Sequence, residues 1–289
     1  MKISASMVKE LRERTGAGMM ECKKALTEAN GDMEVAIEQM RVAGTAKADK
    51  KSGNTAAEGA VSIKLDNDRK RFALVEINSQ TDFAVKSEDF TSFIARVVDA
   101  ALNDQIDNVD AIKLDGEAVE EVRKALVAKI GENIQVRRVA TGTSAGGHYG
   151  EYSHGGRIGV VCELQGGDEQ LARDIAMHIA ASNPVCVDES GVPGELLEKE
   201  KTILVAEAAE SGKPAEIVEK MVQGRMRKYL AEITLVGQAF VKDPDQTIAA
   251  LLKSKDASVL GFHRFEVGEG IEKKEENFAD EVMAQVRGS

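Results

Sequence analysis

The predicted secondary-structure elements follow the same order twice along the chain, and this recurrence constrains the fold more strongly than any other feature. Residues 60–79 alternate apolar and polar side chains around an Asp-Asn-Asp turn, which predicts a β-hairpin. Helical stretches and a strand that ends near residue 141 follow. A second hairpin at 147–165, a helix at 168–182 and a last strand at 258–270 repeat that order. We therefore predict an α+β fold with two duplicated core lobes.

A small helical unit precedes the first hairpin, within residues 1–44. Ser6 stands before an amphipathic run, Asp32 is placed to cap a later helix, and glycines separate the segments. This pattern predicts a bundle of three short helices. So small a module has marginal stability by itself, and we interpret it as an attached arm. Its predicted core contains Val8, Leu11, Ala25, Leu26, Val35, Ala36, Ile37 and Met40.

Residues 47–58 have the composition of a linker. They are small, polar and basic, and such a segment cannot bury enough apolar surface to offset the entropy of ordering it. We predict an unordered connection here, with a domain boundary after residue 55.

Two strongly helical runs, residues 194–211 and 215–234, interrupt the second copy. They are joined by Gly212-Lys213-Pro214, a turn that ends one helix and begins the next. The pattern predicts an antiparallel coiled-coil hairpin that projects from the second lobe. Its apolar stripe is formed by Leu196, Ile203, Leu204, Ile217, Met221 and Met226.

These patterns divide the chain into segments. The last one, residues 271–289, places apolar residues at helical spacing and predicts a C-terminal helix tethered by a charged stretch. The predicted domains are 1–55 for the bundle and linker, 56–141 for the first lobe, 142–183 and 229–270 for the two parts of the second lobe, 184–228 for the inserted hairpin, and 271–289 for the C-terminal helical module.

Charge and cysteine content argue against several classes of function. The 289 residues contain 49 acidic and 38 basic side chains, and the net charge of −11 opposes binding to a phosphate backbone. Cys22, Cys162 and Cys186 are odd in number and show no CxxC spacing, which favours a reducing compartment, and we predict the cytoplasm. Eighteen uncharged apolar residues never run together, so we predict no membrane span.

The sequence contains no pattern typical of a catalytic centre. The glycine-rich residues 141–150 lack the lysine and the strand-to-helix context of a phosphate-binding loop, so we interpret them as a turn. His148, His154 and Cys162 do not have the spacing of zinc ligands. We predict a protein without catalytic residues, metal or cofactor.

The segment EINSQTDFAVK, residues 76–86, changes from an apolar strand to a turn that carries Asp82 and Phe83. In one interpretation Asp82 caps the next helix while Phe83 packs into the local core. In the other, the ring stays outside beside the carboxylate as a wedge for a partner's pocket, because aromatic rings dominate interface energetics. The pattern alone leaves both interpretations open.

Two stretches, LRERTGAGMMECKKAL (residues 11–26) and EINSQTDFAVK, resemble the bacterial elongation factor Ts family. The resemblance continues through KIGENIQVRRVA, YSHGGRIGV, IAMHIAAS, SGKPAEIVEKMVQGRM and FEVGEGIEK. It implies a guanine-nucleotide exchange factor that binds elongation factor Tu, disturbs its magnesium and phosphate site, and promotes GDP release during translation elongation. The chain departs from the family pattern after the turn, where Ala84 and Val85 stand in inverted order.

The resemblance also implies an architecture and a set of contact residues. The bundle is expected to be similar to ubiquitin-associated domains. Thr81 is expected to set the turn, and Asp82 and Phe83 to push into the nucleotide domain of elongation factor Tu. Without the resemblance, the two methionines of the bundle also fit a helix core, and the glycine after the later helix fits an ordinary helix stop. The further partner-binding residues that the resemblance implies are Met19, Met20, Lys23, Ile130, Gly131 and His154.

The sequence alone leaves an alternative function and the assembly state open. A translation-associated scaffold or adaptor would recruit proteins through the bundle and the hairpin without exchanging nucleotide, and it would tolerate truncation of residues 81–83. The apolar stripe of the coiled coil fits either its own hairpin or a second copy, so monomer and homodimer both agree with it. The predicted partner is elongation factor Tu, without direct contact to nucleic acid or membrane.

Overall fold

The structure is a computed structural model that describes residues 3–210 and 214–272. Three helices come first: α1 (Ala5–Thr15), α2 (Met19–Glu28) and α3 (Met33–Lys51). Asp32 caps α3 as predicted, by accepting the backbone N–H groups of two residues. The cap of α1 is Ser4 and not Ser6, since the helix begins two residues earlier than the apolar pattern indicates.

The core of this bundle agrees with most of the predicted residues. Val8, Leu11, Ala25, Leu26 and Ala36 are buried, and Ile37 and Met40 pack partly against them. Val35 was predicted wrongly, because its side chain is 41% exposed. Cys22 fills the core with no exposed surface.

A three-stranded antiparallel sheet follows the bundle. The predicted hairpin is formed by β1 (Glu58–Leu65) and β2 (Arg71–Ser79), with Glu58 opposite Ser79. The strand β5 (Ile134–Thr143) pairs with the other edge of β2, giving the order β1-β2-β5. We call this the first sheet.

Helices connect β2 to β5. They are α4 (Asp82–Val85), α5 (Glu88–Asp104) and α6 (Val119–Ile130). A two-residue ladder between β3 (Lys113–Leu114) and β4 (Glu117–Ala118) was not predicted.

A second antiparallel sheet has the corresponding order. The hairpin of β6 (His148–His154) and β7 (Ile158–Gln165) forms as predicted, and β10 (Ser258–Glu266) pairs with β7, giving β10-β7-β6. The helix α7 (Glu169–Ser182) packs against this second sheet. In each sheet, the second strand of the hairpin is central and the last strand lies beside it.

The two sheets pack face to face. Side chains alternate along β2, so that Ala73, Val75 and Ile77 contact α5 while Phe72 and Leu74 face the second sheet. The packing is close at Gly159 of β7, where an added Cβ would lie 2.4 Å from Cγ1 of Val61. Helices therefore cover the outer faces, and the molecule has mixed helical and sheet layers, which confirms the α+β class.

The predicted linker is wrong over much of its length. Helix α3 continues to Lys51, and Ala48 is buried in the core of the first sheet. Gly44 lies close to α6, since a Cβ built on it would be 3.3 Å from the Cβ of Ala128. Arg41 pairs with Glu121 of α6 at 3.2 Å. The small and basic residues serve helix-to-helix packing here, so the bundle is docked on the first sheet unit and is not a loosely tethered arm.

The inserted hairpin consists of α8 (Gly194–Ala209) and α9 (Ala215–Ile233), which contact each other along their length. Helix α9 ends one residue before the end of the predicted helical run 215–234 and so extends past the predicted domain boundary at residue 228. Leu204 and Ala208 of α8 are buried. The structure describes every residue of α9, and none of them is fully buried.

Short elements return the chain from the hairpin to the second sheet. They are β8 (Ala239–Phe240), β9 (Asp243–Thr247) and α10 (Ile248–Ser254). Among the described residues, no helix combines the length and apolar character needed to cross a membrane. Most of the predicted C-terminal module 271–289, from residue 273 on, lies outside the described residues, as do Gly212 and Lys213 of the predicted hairpin turn.

Candidate protein-binding site

Residues 81–83, the TDF turn, lie at the end of β2 and begin the single-turn helix α4. Thr81 caps this helix, because its Oγ1 accepts the backbone N–H of Ala84 at 3.3 Å. The turn directs Ala84 inward, where it is buried, and leaves Phe83 79% exposed. The interpretation in which Phe83 packs into the local core is therefore wrong.

The carboxylate of Glu132, in the loop before the neighbouring strand β5, accepts hydrogen bonds from the TDF turn. Its Oε1 accepts the hydroxyl of Thr81 at 2.8 Å, and its Oε2 accepts the backbone N–H of Thr81 at 3.0 Å. The hydroxyl of Ser79 lies 3.2 Å from the same Oε2. Gly131, with φ of 86°, ends α6 in the left-handed conformation directly before Glu132.

A second contact ties the turn to the end of α3. The backbone N–H of Asn133 donates to Oε1 of Gln80 at 2.7 Å. The buried side chain of Asn133 donates to the backbone oxygens of Asn54 at 2.7 Å and Ser52 at 3.3 Å. The loop after α6 thus holds both the TDF turn and residues 52–54, which follow α3. Glu132, Asn133 and Gln80 were not predicted as site residues, although they lie within the motifs KIGENIQVRRVA and EINSQTDFAVK.

The outer surface of the turn carries a charged pair beside the ring. Asp82 and Lys86 are both exposed, and Nζ of Lys86 lies 2.6 Å from Oδ2 of Asp82. The same Nζ lies 5.6 Å from the centre of the Phe83 ring. Exposed pairs contribute little stability, so this carboxylate is available to other cations at small cost.

Helix α2 presents a second apolar surface. Met19 is 61% exposed and Met20 is 74% exposed, and Lys23 follows on the same side of the helix without an ion pair to any described residue. We call these three residues the methionine face. The interpretation of Met19 and Met20 as bundle core is therefore wrong. Beside them, a hydrogen bond from Lys47 lowers the pKa of Glu21 and joins α2 to α3.

Lys129 of α6 connects the loop between α1 and α2 with the beginning of α5. Its Nζ lies 3.3 Å from a Cβ built on Gly16, in that loop. The same Nζ donates to Asp89, at the start of α5, at 2.7 Å. The loop that precedes the methionine face therefore lies near the beginning of α5, which follows Phe83 by a few residues in the chain.

The remaining predicted contact residues lie at the same end of the sheets. Ile130 is half-buried against the core of the first sheet, and Gly131 is exposed. His154, at the end of β6, is exposed, and its Nδ1 lies 3.3 Å from the hydroxyl of Tyr152. The turn that follows β6 contacts β1, since Arg157 pairs with Glu58 at 2.6 Å. Glu58 is opposite Ser79 in the sheet, which places this turn near the TDF turn.

Comparisons with known proteins show which family this chain belongs to. The family model described as "Elongation factor TS" matches residues 80–269. The chain is 63% identical over 293 residues to "Elongation factor Ts" of Thioalkalivibrio sulfidiphilus, with 100% of both chains covered. It is 60% identical to the protein of the same name from Alkalilimnicola ehrlichii and 59% identical to that from Methylococcus capsulatus, again with complete coverage of both chains.

These matches place the chain among the bacterial translation elongation factors. It belongs to the elongation factor Ts family. It is accordingly a nucleotide exchange factor for elongation factor Tu in translation elongation, a role that releases a bound ligand and makes or breaks no covalent bond.

Proposed function

We propose that this chain promotes GDP release by inserting the TDF turn into the nucleotide domain of elongation factor Tu, beside its magnesium and phosphate site. The observation that carries the proposal is the 79% exposure of Phe83 on a turn whose neighbours are buried or hydrogen-bonded. Large exposed rings on a rigid support are typical of interface hot spots. Asp82, beside the ring, offers a carboxylate to cationic groups around the partner's phosphates.

The energetics of such exchange follow from thermodynamic linkage. A GTPase holds its nucleotide through backbone amides, a lysine and magnesium that are preorganised around the phosphates. If the exchange factor binds the empty partner more tightly than the GDP-bound partner, GDP weakens its binding by the same factor. The ternary complex is then the intermediate from which the nucleotide leaves.

We propose that the other predicted contact residues of this chain bind the surface of elongation factor Tu around the point where the TDF turn inserts. Met19, Met20 and Lys23 supply apolar area and one positive charge from α2. Gly131 and His154 are exposed at the end of the sheets that carries the TDF turn, and the half-buried Ile130 beside Gly131 is proposed as a further contact.

The detailed architecture belongs to the same proposal. The bundle is interpreted as similar to ubiquitin-associated domains, and the matching strand orders of the two sheets support two duplicated lobes. The domain boundaries given by the sequence stay a prediction, as does the C-terminal helix.

The assembly state, the absence of nucleic-acid binding and the location belong to the same proposal. Ile203 and Ile217 of the coiled coil are 43% and 45% exposed, which agrees with a monomer and with a homodimer through this hairpin, and light scattering distinguishes the two. The net charge of −11 supports the proposal that nucleic acid is not bound directly. The three cysteines are free thiols, in agreement with a cytoplasmic location.

Stopped-flow release of a fluorescent GDP from elongation factor Tu tests the central proposal. We expect Phe83→Ala to slow the catalysed release roughly 30-fold, because a hot-spot ring contributes about 2 kcal/mol or more. Leu260→Ala is the matched control, since it also removes an exposed apolar side chain but lies in β10. Equal rates for Phe83→Ala and the unaltered protein would remove the ring from the mechanism.

A further inference from the structure

Glu132, which lies outside the TDF turn, accepts two hydrogen bonds from Thr81. Helix α4 has only four residues, and a single helical turn is not stable by itself. Its own cap is the contact from the Ala84 N–H to Thr81 at 3.3 Å. The contacts from Glu132 to Thr81, at 2.8 and 3.0 Å, are shorter and charge-assisted.

The Glu132 carboxylate is directed at the turn and not at a basic side chain. It makes no ion pair with any residue in 3–210 or 214–272. Two donors from Thr81 and the nearby Ser79 hydroxyl face its two oxygens. A carboxylate can accept all of these bonds, whereas an amide at this position would turn an NH₂ group towards donors.

We propose that Glu132 is a positioning residue for nucleotide exchange, which holds Thr81 so that Phe83 is presented in its binding conformation before the partner arrives. This inference rests on the proposed role of Phe83. A ring on a preorganised turn loses less conformational entropy on binding. The complex from which GDP leaves is then lower in free energy, and exchange is faster. Glu132 acts through the turn and is not itself a contact to the nucleotide site.

A double-mutant cycle separates positioning from direct contact. The four proteins are the unaltered chain, Glu132→Gln, Phe83→Ala and the double variant, each assayed for catalysed GDP release. We expect Glu132→Gln to slow release roughly tenfold, as the loss of a charge-assisted hydrogen bond implies. In the Phe83→Ala background the same substitution should slow release by a smaller factor than in the unaltered chain, because the ring that it positions is absent and only Asp82 remains on the turn.

Asp66→Asn is the matched control for this cycle. Like Glu132, Asp66 holds a turn through its carboxylate, which accepts the backbone N–H groups of Lys70 and Arg71 at 2.7 and 2.9 Å, but this turn is at the opposite end of the β-hairpin. Its substitution should leave the rate of GDP release within about twofold of that of the unaltered chain.

Amide hydrogen exchange supplies a readout independent of activity. In Glu132→Gln the Ala84 amide should exchange faster, whereas the amides at the centre of β2 should keep their protection. If Glu132→Gln fails to fold, Thr81→Val removes the hydroxyl donor at constant size and should show the same dependence on Phe83.

The outcomes distinguish the two proposals. If Phe83→Ala exchanges nucleotide at the unaltered rate, the proposed role of the ring fails. If Phe83→Ala is slow but Glu132→Gln slows release by the same factor in both backgrounds, the ring keeps its role and Glu132 is not a positioning residue. A normal rate for Glu132→Gln alone also overturns the inference.

Discussion

Lys86 donates a hydrogen bond to Asp82 one helical turn earlier, on the open side of the turn that carries Phe83. The separation of Nζ and Oδ2 is 2.6 Å, and both side chains are more than half exposed. A pair of this kind is worth at most about 1 kcal/mol. Asp82 is therefore neutralised by an internal cation that a partner can readily replace.

This relationship predicts different effects for the two members of the pair. Asp82→Asn preserves the shape of the side chain and removes its charge, so we expect GDP release to slow roughly tenfold, as for one lost charged hydrogen bond. Lys86→Met should change the rate less than about twofold, since the lysine only screens the carboxylate. Stopped-flow release at saturating exchange factor measures both. A slower rate for Lys86→Met than for Asp82→Asn would contradict the assignment.

The methionine face predicts an effect on affinity without an effect on the maximal rate. Replacing Met19 and Met20 together by alanine removes apolar area that lies away from the nucleotide site. We expect the half-saturating concentration to rise about tenfold with the maximal rate unchanged, because such contacts bind all states of the partner alike. Titration of the exchange rate against exchange-factor concentration measures the two quantities. Val42→Ala is the control, because Val42 is 66% exposed in the same bundle but on α3.

The lowered pKa of the buried His178 leads us to predict that the folded chain loses stability in mild acid. The buried ring accepts the Val241 N–H at Nδ1, at 3.2 Å, so its proton is on Nε2, which donates to Gln238 at 2.9 Å. Burial lowers the pKa of His178, and the Gln238 hydrogen bond offsets part of that shift. The unfolded chain therefore binds a proton more readily, and the stabilisation is complete above the unfolded pKa of about 6.5 and is lost as the pH falls below it.

Urea unfolding at pH 7.5 and pH 5.5 tests this prediction. We expect the free energy of unfolding to decrease more between these pH values in the unaltered chain than in His178→Gln, with a slope of at most about 1.4 kcal/mol per pH unit for one proton. Burial lowers the pKa of His263 in the same direction, so His178→Gln should keep part of the slope. An identical pH dependence in the two proteins would contradict the role of His178.

Local patterns were sufficient for much of the fold. Alternation and turn residues predicted the two hairpins and the last strand of each sheet, because strand-forming side chains and turn residues are local signals. The composition of residues 47–58 predicted a linker, yet helix α3 continues to Lys51 and Ala48 is buried in the core of the first sheet. Small residues occur both in solvent-exposed linkers and in close helix–helix contacts. Which of the two forms depends on the helix that packs against them in the folded chain.

The direction of Phe83 was not predictable from its neighbours for a similar reason. Burial of Ala84 and the contacts from Glu132 to Thr81 decide which way the turn faces. Glu132 lies 51 residues away from Thr81 in the chain. Periodicity describes one element at a time, so it carries no information about such a distant hydrogen bond. The exposure of Met19 and Met20 depended in the same way on which residues of α2 meet the other two helices.

Helix α3 runs from the bundle to Lys51 and packs on α6 before the first strand begins. The spacing between the methionines and the aromatic ring is consequently set before the partner is encountered. A tethered module would have to find its site in a separate step and would lose its own orientational freedom in doing so. Here the continuous helix holds the two surfaces at a fixed separation, so a partner that contacts both can do so in one encounter and one orientation.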